Sequence, residues 1–354
     1  GGGNNYTLQI DNSVVATLTG SVFTGNAIFQ SGLTGSLQQL SDGTPYLRSG
    51  TGISITTGSS GEVTVSSTGT SGLARSKDVK LTILHTNDMH SHIHPFTSGR
   101  NKGLGGMAQR AALIKQIRQQ EEHVLLLDAG DIFQGTAYFN FFSGELEFKL
   151  MSEMKYDAAT LGNHDFDNGI DGLERQLKHA TFPFLIANYD FKNTILENRF
   201  KPYKIFNKDG IKVGVFGIGV ELEGLVPKEL YKETVYNDPI ISSNYYSYKL
   251  KHELNCDLVI CLSHLGYKYE SKKISDTVLA KQTRDIDLII GGHTHTFLKK
   301  PKIITNLINK KVIINQVGFG GINIGKIDFI FQQNKRDFNV KKSSIFVKKN
   351  KKAT

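Results

Sequence analysis

The chain is poor in cysteine and in long apolar runs, and both shortages limit what the protein can be. Its 354 residues include two cysteines, seven prolines and no tryptophan. Both cysteines lie in Cys256-Asp-Leu-Val-Ile-Cys261. On a strand, residues at this odd spacing point to opposite faces, so we expect no disulfide between them. A disulfide-stapled scaffold is excluded, since a chain of this length can build a core without one.

Several functional classes are excluded by the motifs that the sequence lacks. No apolar run approaches the roughly 20 residues of a transmembrane helix, and the first residues contain no secretory signal peptide. No phosphate-binding P-loop occurs. The glycines of 214–219 and 318–325 do not complete a dinucleotide-binding fingerprint between a strand and a helix. We therefore expect no membrane-spanning segment and no bound dinucleotide.

The composition changes sharply near Ser76. Residues 1–76 contain no histidine, cysteine or lysine, hold fourteen glycines and carry a net charge of −1, whereas the remainder carries +10. Short pieces of this segment alternate apolar and polar residues, such as Tyr6–Ile10 and Ile53–Ile55, and Val63–Val65 follows a Gly/Ser turn. Alternation of this kind is typical of β-hairpins.

The first 76 residues have too little apolar mass to bury much surface alone. Two interpretations remain open, an intertwined β-fibre formed by self-association and a flexible Gly/Ser linker. The stretch Gly32–Leu47 resembles repeats of phage tail-fibre-like and other trimeric fibre proteins. This resemblance favours a β-rich stalk at 1–76 for oligomerisation or attachment, either native or fused, with a linker at 67–77.

The basic excess of the chain includes a lysine-rich end, Lys335–Lys352. No aromatic residues are interleaved with basic ones in a patch of the kind that binds nucleic acid, so we expect a solvated tail and no nucleic-acid partner. The predicted organisation is therefore a stalk at 1–76, an α/β domain at 77–335 and a basic tail at 336–354.

Strands and helices alternate from Lys80 onward. An apolar stripe through Met107, Ala111, Ile114 and Ile117 predicts a helix, and Val124–Leu127 then returns as a strand. Later strands are predicted at Tyr203–Phe206, Ile211–Phe216, Leu258–Leu262, Leu288–Ile290, Val312–Val317 and Ile324–Ile330. This order indicates an α/β sandwich, with two sheets or one large sheet flanked by helices.

Metal-ligand side chains follow four of the apolar, strand-like runs. The runs are Leu81–Leu84, Val124–Leu127, Ala158–Leu161 and Leu288–Ile290. The segments that follow are Asp88-Met-His90, Gly130-Asp131, Gly162-Asn163-His164-Asp165 and Gly292-His293-Thr-His295. Because open α/β sheets bind ligands at the carboxyl ends of their strands, we expect these segments to converge on one crevice.

The ligand types predict the chemistry. Asp88 and His90 are two apart and can face one cation, while the Asp131 carboxylate can bridge two. Oxygen from Asn163 and nitrogen from His264, His293 and His295 complete a set that suits Mn, Zn, Fe or Co and disfavours a thiolate zinc site. Two cations about 3.5 to 4 Å apart would hold a bridging water or hydroxide for in-line attack on phosphorus. We therefore expect phosphoester hydrolysis.

These motifs resemble the calcineurin-like metallophosphoesterase superfamily. The flanking sequences Leu84–His90 and Gly162–Asp167 resemble more narrowly the catalytic domain of the bacterial 5'-nucleotidase family, over residues 79–332. The resemblance implies a four-layer α/β/β/α sandwich. It also implies one metal held by Asp88, His90, Asp131 and His295, and a second held by Asp131, Asn163, His264 and His293.

The same resemblance assigns catalytic roles. His164 would stabilise charge on the phosphoryl group and protonate the leaving oxygen, and Asp167 would orient it, as expected for a histidine kept protonated by a carboxylate. Arg100 and Lys102 are either phosphate contacts or solvated loop charges. His85, inside the first strand, is expected to be a packed core residue.

Family members are periplasmic or extracellular, act on phosphorylated small molecules such as nucleotides, and normally carry a C-terminal nucleoside-binding domain. This chain ends shortly after the catalytic domain, so that domain could be a separate chain, could have been cut away or could be dispensable. Two other functions remain open: an attachment protein with a non-catalytic phosphoesterase-like head, and a thiosulfohydrolase-type enzyme on the same scaffold.

Overall fold

The computed structural model describes residues 53–57, 63–67, 78–332 and 338–346, with side chains for 78–332. It divides the chain into two units, Gly1–Ser71 and Gly72–Thr354. In the first unit, β1 (Ile53–Thr57) and β2 (Val63–Ser67) pair antiparallel. This hairpin confirms the strands predicted there. The strand predicted at 6–10 and the fibre-like stretch lie outside the described residues. The first residue of the predicted linker, Ser67, ends β2, and 68–77 lie outside the described residues.

The second unit alternates strands and helices. Its strands are β3 (Val79–Thr86), β4 (His123–Asp128), β5 (Ala158–Ala159), β6 (Tyr189–Asp190), β7 (Tyr203–Lys208), β8 (Ile211–Ile218), β9 (Val235–Tyr236), β10 (Leu258–Ser263), β11 (Leu288–Gly291), β12 (Lys302–Thr305), β13 (Lys311–Asn315), β14 (Asn323–Phe331) and β15 (Phe338–Phe346). Its helices are α1 (Met107–Gln120), α2 (Ala137–Phe142), α3 (Glu145–Glu153), α4 (Gly169–Leu177), α5 (Lys228–Tyr231), α6 (Pro239–Tyr248) and α7 (Asp276–Gln282). Across the described ranges, none of the helices combines the length and apolar character needed to cross a membrane.

Eleven of these strands form two mixed sheets, and β6 and β9 form a separate antiparallel pair. The first has the order β15-β14-β3-β4-β5, in which β3, β4 and β5 are parallel. The second has the order β12-β13-β11-β10-β8-β7, in which β8, β10, β11 and β13 are parallel. Antiparallel strands close both edges of the second sheet. The parallel strands at the centre of each sheet therefore end on a common edge.

The apolar side chains of the central strands alternate between two faces. Leu125 and Leu127 of β4 pack into a cluster shared by both sheets, whereas Val124 and Leu126 face a cluster that includes residues of α1, α3 and α4. The second sheet likewise packs its outer face against α7. Each fully buried Leu or Val contributes about 1.5–3 kcal/mol. The arrangement confirms the predicted four-layer α/β/β/α sandwich.

The cysteines do not lie on opposite faces of a strand. Both are free and buried, and both belong to the outer core of the second sheet. The predicted alternation is wrong because β10 begins at Leu258, so Cys256 lies in the loop before the strand.

The end of the chain also differs from the expected basic tail. Residues Phe338–Phe346 form β15, which pairs antiparallel with β14 from Phe331↔Phe338 to Asn323↔Phe346. Lysine is common on edge strands, where it discourages pairing with other chains, so a lysine-rich composition does not exclude a strand. The remainder of the expected tail, 347–354, lies outside the described residues.

Candidate metal centre

The seven predicted ligands follow five strands and come together at one end of the two sheets. Three of these strands belong to the first sheet and two to the second. Asp88 and His90 follow β3, Asp131 follows β4, Asn163 follows β5, His264 follows β10, and His293 and His295 follow β11. The site therefore depends on the packing of both sheets.

The ligand atoms form two groups that share one carboxylate. In the first group, the ligand atoms of Asp88, His90, Asp131 and His295 lie within 4.8 Å of one another. In the second, Asp131 lies equally close to His264 and His293. The Oδ1 atom of Asn163 is 2.8 Å from Nδ1 of His293. Asp131 thus occupies the position that a carboxylate bridging two cations would need.

His264 shows how well the second group fits a cation. Its Nδ1 donates to the carbonyl oxygen of Ala129 at 2.6 Å, so in the neutral ring the lone pair is on Nε2. That Nε2 is buried without a hydrogen-bond partner among the described residues, 3.0 Å from Oδ2 of Asp131. A lone pair facing a carboxylate is unfavourable unless positive charge lies between the two. A proton on Nε2 supplies that charge when no cation is bound, and a divalent cation can replace the proton, since a ligating histidine is usually oriented by a bond from its other nitrogen.

The first group has the same character. His90 donates from Nδ1 to the carbonyl oxygen of Gln134 at 3.1 Å, and its Nε2 lies 2.8 Å from Nε2 of His295. Nε2 of His295 is also 3.4 Å from Oδ1 of Asp88. Two imidazoles and a carboxylate therefore direct their acceptor atoms at one small volume.

The backbone is strained where these ligands are held. Five of the seven predicted ligands have positive φ angles: Asp88 (51°), His90 (49°), Asp131 (55°), His293 (73°) and His295 (51°). This region costs a non-glycine residue of the order of 1–3 kcal/mol and is found where a site requires it. The surrounding packing therefore maintains ligand positions that local preference disfavours.

The electrostatic field of the site favours positive charge. Burial opposes ionisation of His264, but the carboxylates of Asp131 and Asp88 outweigh it and raise its pKa to about 10. Burial would also raise the pKa of Asp131, yet the neighbouring histidines, His264 first, hold it below its ordinary value. Burial lowers the pKa of His293 to about 4 and also lowers that of His90. These two rings are neutral at neutral pH, as metal ligation requires.

Asp165 is a structural residue that the sequence pattern did not single out. Its buried carboxylate accepts hydrogen bonds from the backbone N–H groups of Asp131, Ile132, Phe133 and Gly162. Burial and the charge of Asp131 raise its pKa to about 7 despite these donors. Asp165 thus joins the loops after β4 and β5. Its place in the Gly162-Asn163-His164-Asp165 motif was the only signal for it.

Gly162 permits the same two loops to approach. A Cβ atom built at this position would overlap Oδ1 of Asp131 and lie 2.5 Å from its backbone nitrogen. Any larger residue would displace the shared carboxylate.

His164 lies beside the two groups and is partly open to solvent. Its Nδ1 is 2.9 Å from Oδ2 of Asp167, and its ring centroid is 5.3 Å from that of His90. The hydrogen bond to Asp167, together with the charge of Asp131, raises the pKa of His164 against the effect of burial. Because Asp167 engages Nδ1, Nε2 is left to face an incoming ligand.

Three other residues of the sequence prediction lie outside the ligand groups. His85 is fully buried and bonded through Nε2 to Asn315, which confirms it as a core residue, and burial lowers its pKa to about 3. Arg100 and Lys102 are exposed, and no described side chain bonds to either.

Comparison with known proteins shows which family the chain resembles. Residues 81–297 match the model of the calcineurin-like phosphoesterase family. A snake venom 5'-nucleotidase of Crotalus adamanteus is 41% identical over 62% of this chain and 37% of its own length. The 5'-nucleotidase of Homo sapiens is 35% identical over 71% of this chain and 46% of its own. The chain thus spans less than half the length of these relatives.

A solved structure gives the same result for the fold. The NAD nucleotidase of Haemophilus influenzae superposes with a TM-score of 0.67 at 27% identity, covering 77% of this chain and 51% of the nucleotidase. The family model covers all seven predicted ligands, from Asp88 to His295. The chain belongs to the calcineurin-like phosphoesterase family.

Proposed function

We propose that the chain is a metal-dependent hydrolase of phosphate monoesters, acting on nucleotides of the 5'-monophosphate type. The observation that carries this function is the pair of ligand groups sharing Asp131, together with family membership and 5'-nucleotidases among the relatives.

The donor set fits two divalent cations. Asp88, His90, Asp131 and His295 would hold one, and Asp131, Asn163, His264 and His293 the other. The buried Nε2 of His264 supports this fit, because it lies 3.0 Å from Oδ2 of Asp131 while Nδ1 is held by the carbonyl oxygen of Ala129. Bound divalent cations would act as Lewis acids on a phosphoryl oxygen and lower the pKa of a water molecule. Mn, Zn, Fe and Co all accept such donors.

The side chains next to the metal groups would handle the proton of the leaving group. Asp167 fixes the ring of His164 through Nδ1, and its charge favours the imidazolium form. Nε2–H of His164 would then donate to phosphoryl oxygen and to the leaving alkoxide. A positioned acid of this kind accelerates a reaction by about 10²–10⁴-fold.

The non-catalytic attachment head is not favoured. A head that only binds has no need for strained ligand loops or for an open histidine held by a carboxylate. A thiosulfohydrolase-type reaction stays an outcome of the substrate test.

The test uses the full chain, stripped with a chelator and reloaded with Mn²⁺ or Zn²⁺. Phosphate release is measured from nucleoside 5'-monophosphates, a nucleotide sugar, a cyclic nucleotide, glycerol phosphate and p-nitrophenyl phosphate, and sulfate release from a thiosulfate ester. We expect metal-restored turnover that is fastest on nucleoside monophosphates. Equal rates on all monoesters would indicate a general phosphatase. No phosphate release with either metal would refute the function.

Three wider properties belong to the same hypothesis. Nucleoside recognition by a separate C-terminal domain chain would agree with the partial coverage of the relatives, and a second chain should then lower KM for nucleotides only.

Residues 1–76 are proposed to oligomerise the protein. If light scattering gives both the full-length protein and a variant that begins at Ser76 the mass of their own monomers, this proposal is contradicted.

The proposed location is periplasmic or extracellular, in line with relatives that are named as venom proteins. Cell fractionation of the source organism with an antibody against the α/β domain tests it. Signal confined to the cytoplasmic fraction would contradict it.

A further inference from the structure

His295 differs from His90, His164 and His264 in how its ring is held. Nδ1 of His90, His164 and His264 each lies within hydrogen-bonding distance of a carbonyl or carboxylate oxygen. Within residues 78–332, no group offers Nδ1 of His295 a hydrogen bond, and its side chain is 41% exposed. Ligating histidines usually depend on such a bond for their orientation. If the protein itself orients this ring, it does so through a contact other than a hydrogen bond at Nδ1.

The ring of His295 stacks on Phe319. The ring centroids are 5.2 Å apart and the planes are inclined by 23°. Phe96 and Phe297 each contact Phe319 edge-on, with centroids 5.9 Å apart. Aromatic pairs of these geometries are favourable beyond the area they bury. Phe319 is thus held at its edges and presents a face to His295.

The loop of Phe319 is bonded to the strand exit that carries Asp88. Gly320 donates from its backbone N–H to the carbonyl oxygen of Asp88 at 2.7 Å, in a conformation with φ of 60°. The Asn87 side chain donates to the carbonyl oxygen of Gly318 at 2.6 Å and accepts from the N–H of Val317 at 3.0 Å. Phe319 is therefore fixed relative to Asp88, which lies 3.4 Å from His295.

We propose that Phe319 is a positioning residue that orients His295 for metal binding through ring stacking, in place of the hydrogen bond that orients His90, His164 and His264. This inference rests on the proposed metal centre. Among the ring contacts of residues 78–332, Phe319 stacks on His295 and on neither His264 nor His293, so we expect it to act on one cation only.

The test measures Mn²⁺ binding directly, by calorimetric titration of the metal-free full chain. Phe319→Leu removes the ring and keeps the apolar volume, and Phe319→Tyr restores the ring. His295→Ala identifies the binding step that depends on this histidine. The matched control is Tyr248→Leu, which removes a ring from His252, 4.7 Å away and outside the site. His252 retains its bond to Asp285.

We expect Phe319→Leu to weaken the His295-dependent step about two- to tenfold and to leave the other step unchanged. Phe319→Tyr and Tyr248→Leu should match the wild type. Wild-type affinity in Phe319→Leu, equal weakening of both steps, or no recovery in Phe319→Tyr would overturn the inference. Thermal unfolding of the metal-free variants checks that the fold is retained.

The failure of the inference is distinguishable from that of the proposed function. A wild-type chain that binds two Mn²⁺ ions and hydrolyses no ester would refute the function alone. A chain that binds neither Mn²⁺ nor Zn²⁺ would overturn both.

Discussion

The backbone N–H of His164 donates to Oδ1 of Asp131 at 2.8 Å. Asp131 is the carboxylate shared by the two ligand groups. The backbone of His164 therefore helps to fix the position of Asp131, while its ring lies beside the two groups and is partly open to solvent. The two contributions are separable, because substitution of the side chain leaves the backbone donor in place.

Replacement of His164 by Gln should therefore impair catalysis and spare metal binding. We expect kcat for a nucleoside monophosphate to fall about 10²–10⁴-fold, with Mn²⁺ affinity at the wild-type level. Asp167→Asn should cause a smaller loss, since the ring remains but loses the carboxylate that orients it. Phosphate release and calorimetric Mn²⁺ titration give the two readouts.

The control for this prediction is His179→Gln, a histidine outside the ligand groups, which should keep the wild-type kcat. Retention of wild-type kcat in His164→Gln with Mn²⁺ bound would show that His164 takes no part in the reaction.

The fold and the ligand groups could be predicted because the same short runs specify both. Val124–Leu127 is apolar throughout and Leu81–Leu84 is interrupted by Thr82 alone, which indicates strands buried on both faces, and the polar residues that follow them are then placed on one edge. The strand β15 was not predicted, because the lysines of 338–346 indicated a basic tail. Composition gives only the average charge of a segment, whereas strand pairing depends on backbone hydrogen bonds.

The residues that support the site could not be predicted in the same way. Asp165 and Phe319 act by touching segments distant in sequence, the loops after β4 and after β11. No spacing rule links Phe319 to His295, and the contact exists only because the loop before β14 is bonded to Asn87 and Asp88. Such roles depend on how the two sheets pack.

Metal should stabilise the fold measurably. A cation present at about a hundred times its dissociation constant adds about 2.7 kcal/mol to the free energy of unfolding, which corresponds to a rise in Tm of roughly 5–10 °C for a domain of this size. We expect this rise when Mn²⁺ is added to the chelator-treated chain. Asp131→Asn should abolish it, because both groups lose their shared ligand.

Asp209→Asn, in an exposed turn, is the control and should retain the Mn²⁺-dependent rise. A rise of wild-type size in Asp131→Asn would mean that the stabilising cation binds elsewhere.

Asp165→Asn should destabilise the metal-free protein, because four backbone N–H donors would face an amide in place of a carboxylate. We expect a loss of about 1–3 kcal/mol in the free energy of unfolding, together with weaker Mn²⁺ binding as the loops after β4 and β5 separate. Urea denaturation and calorimetry measure the two effects.

Asp157→Asn is a suitable comparison, since the Asp157 side chain accepts one backbone N–H, that of Leu126. It should cost less stability and leave Mn²⁺ affinity unchanged. Equal effects of the two substitutions would count against a special role for Asp165.

Buried His85 should make the protein sensitive to acid. Burial lowers its pKa from 6.5 to about 3, so between these values the unfolded chain binds a proton that the folded chain does not. Stability should therefore fall as the pH drops below about 6.5, by up to about 1.4 kcal/mol per pH unit, until the folded state is protonated near pH 3. His85→Gln removes this contribution and should flatten the pH dependence.

Urea denaturation of both proteins at pH 7, 6 and 5 measures the difference. Burial raises the pKa of Asp128 to about 8. Asp128 therefore has the opposite effect, because its contribution to the free energy of unfolding falls as the pH rises. Because Asp128 is present in both proteins, its contribution cancels when the two slopes are subtracted, and the remainder belongs to His85. Identical slopes would mean that His85 is protonated in the folded state, which its complete burial and its bond to the uncharged side chain of Asn315 do not support.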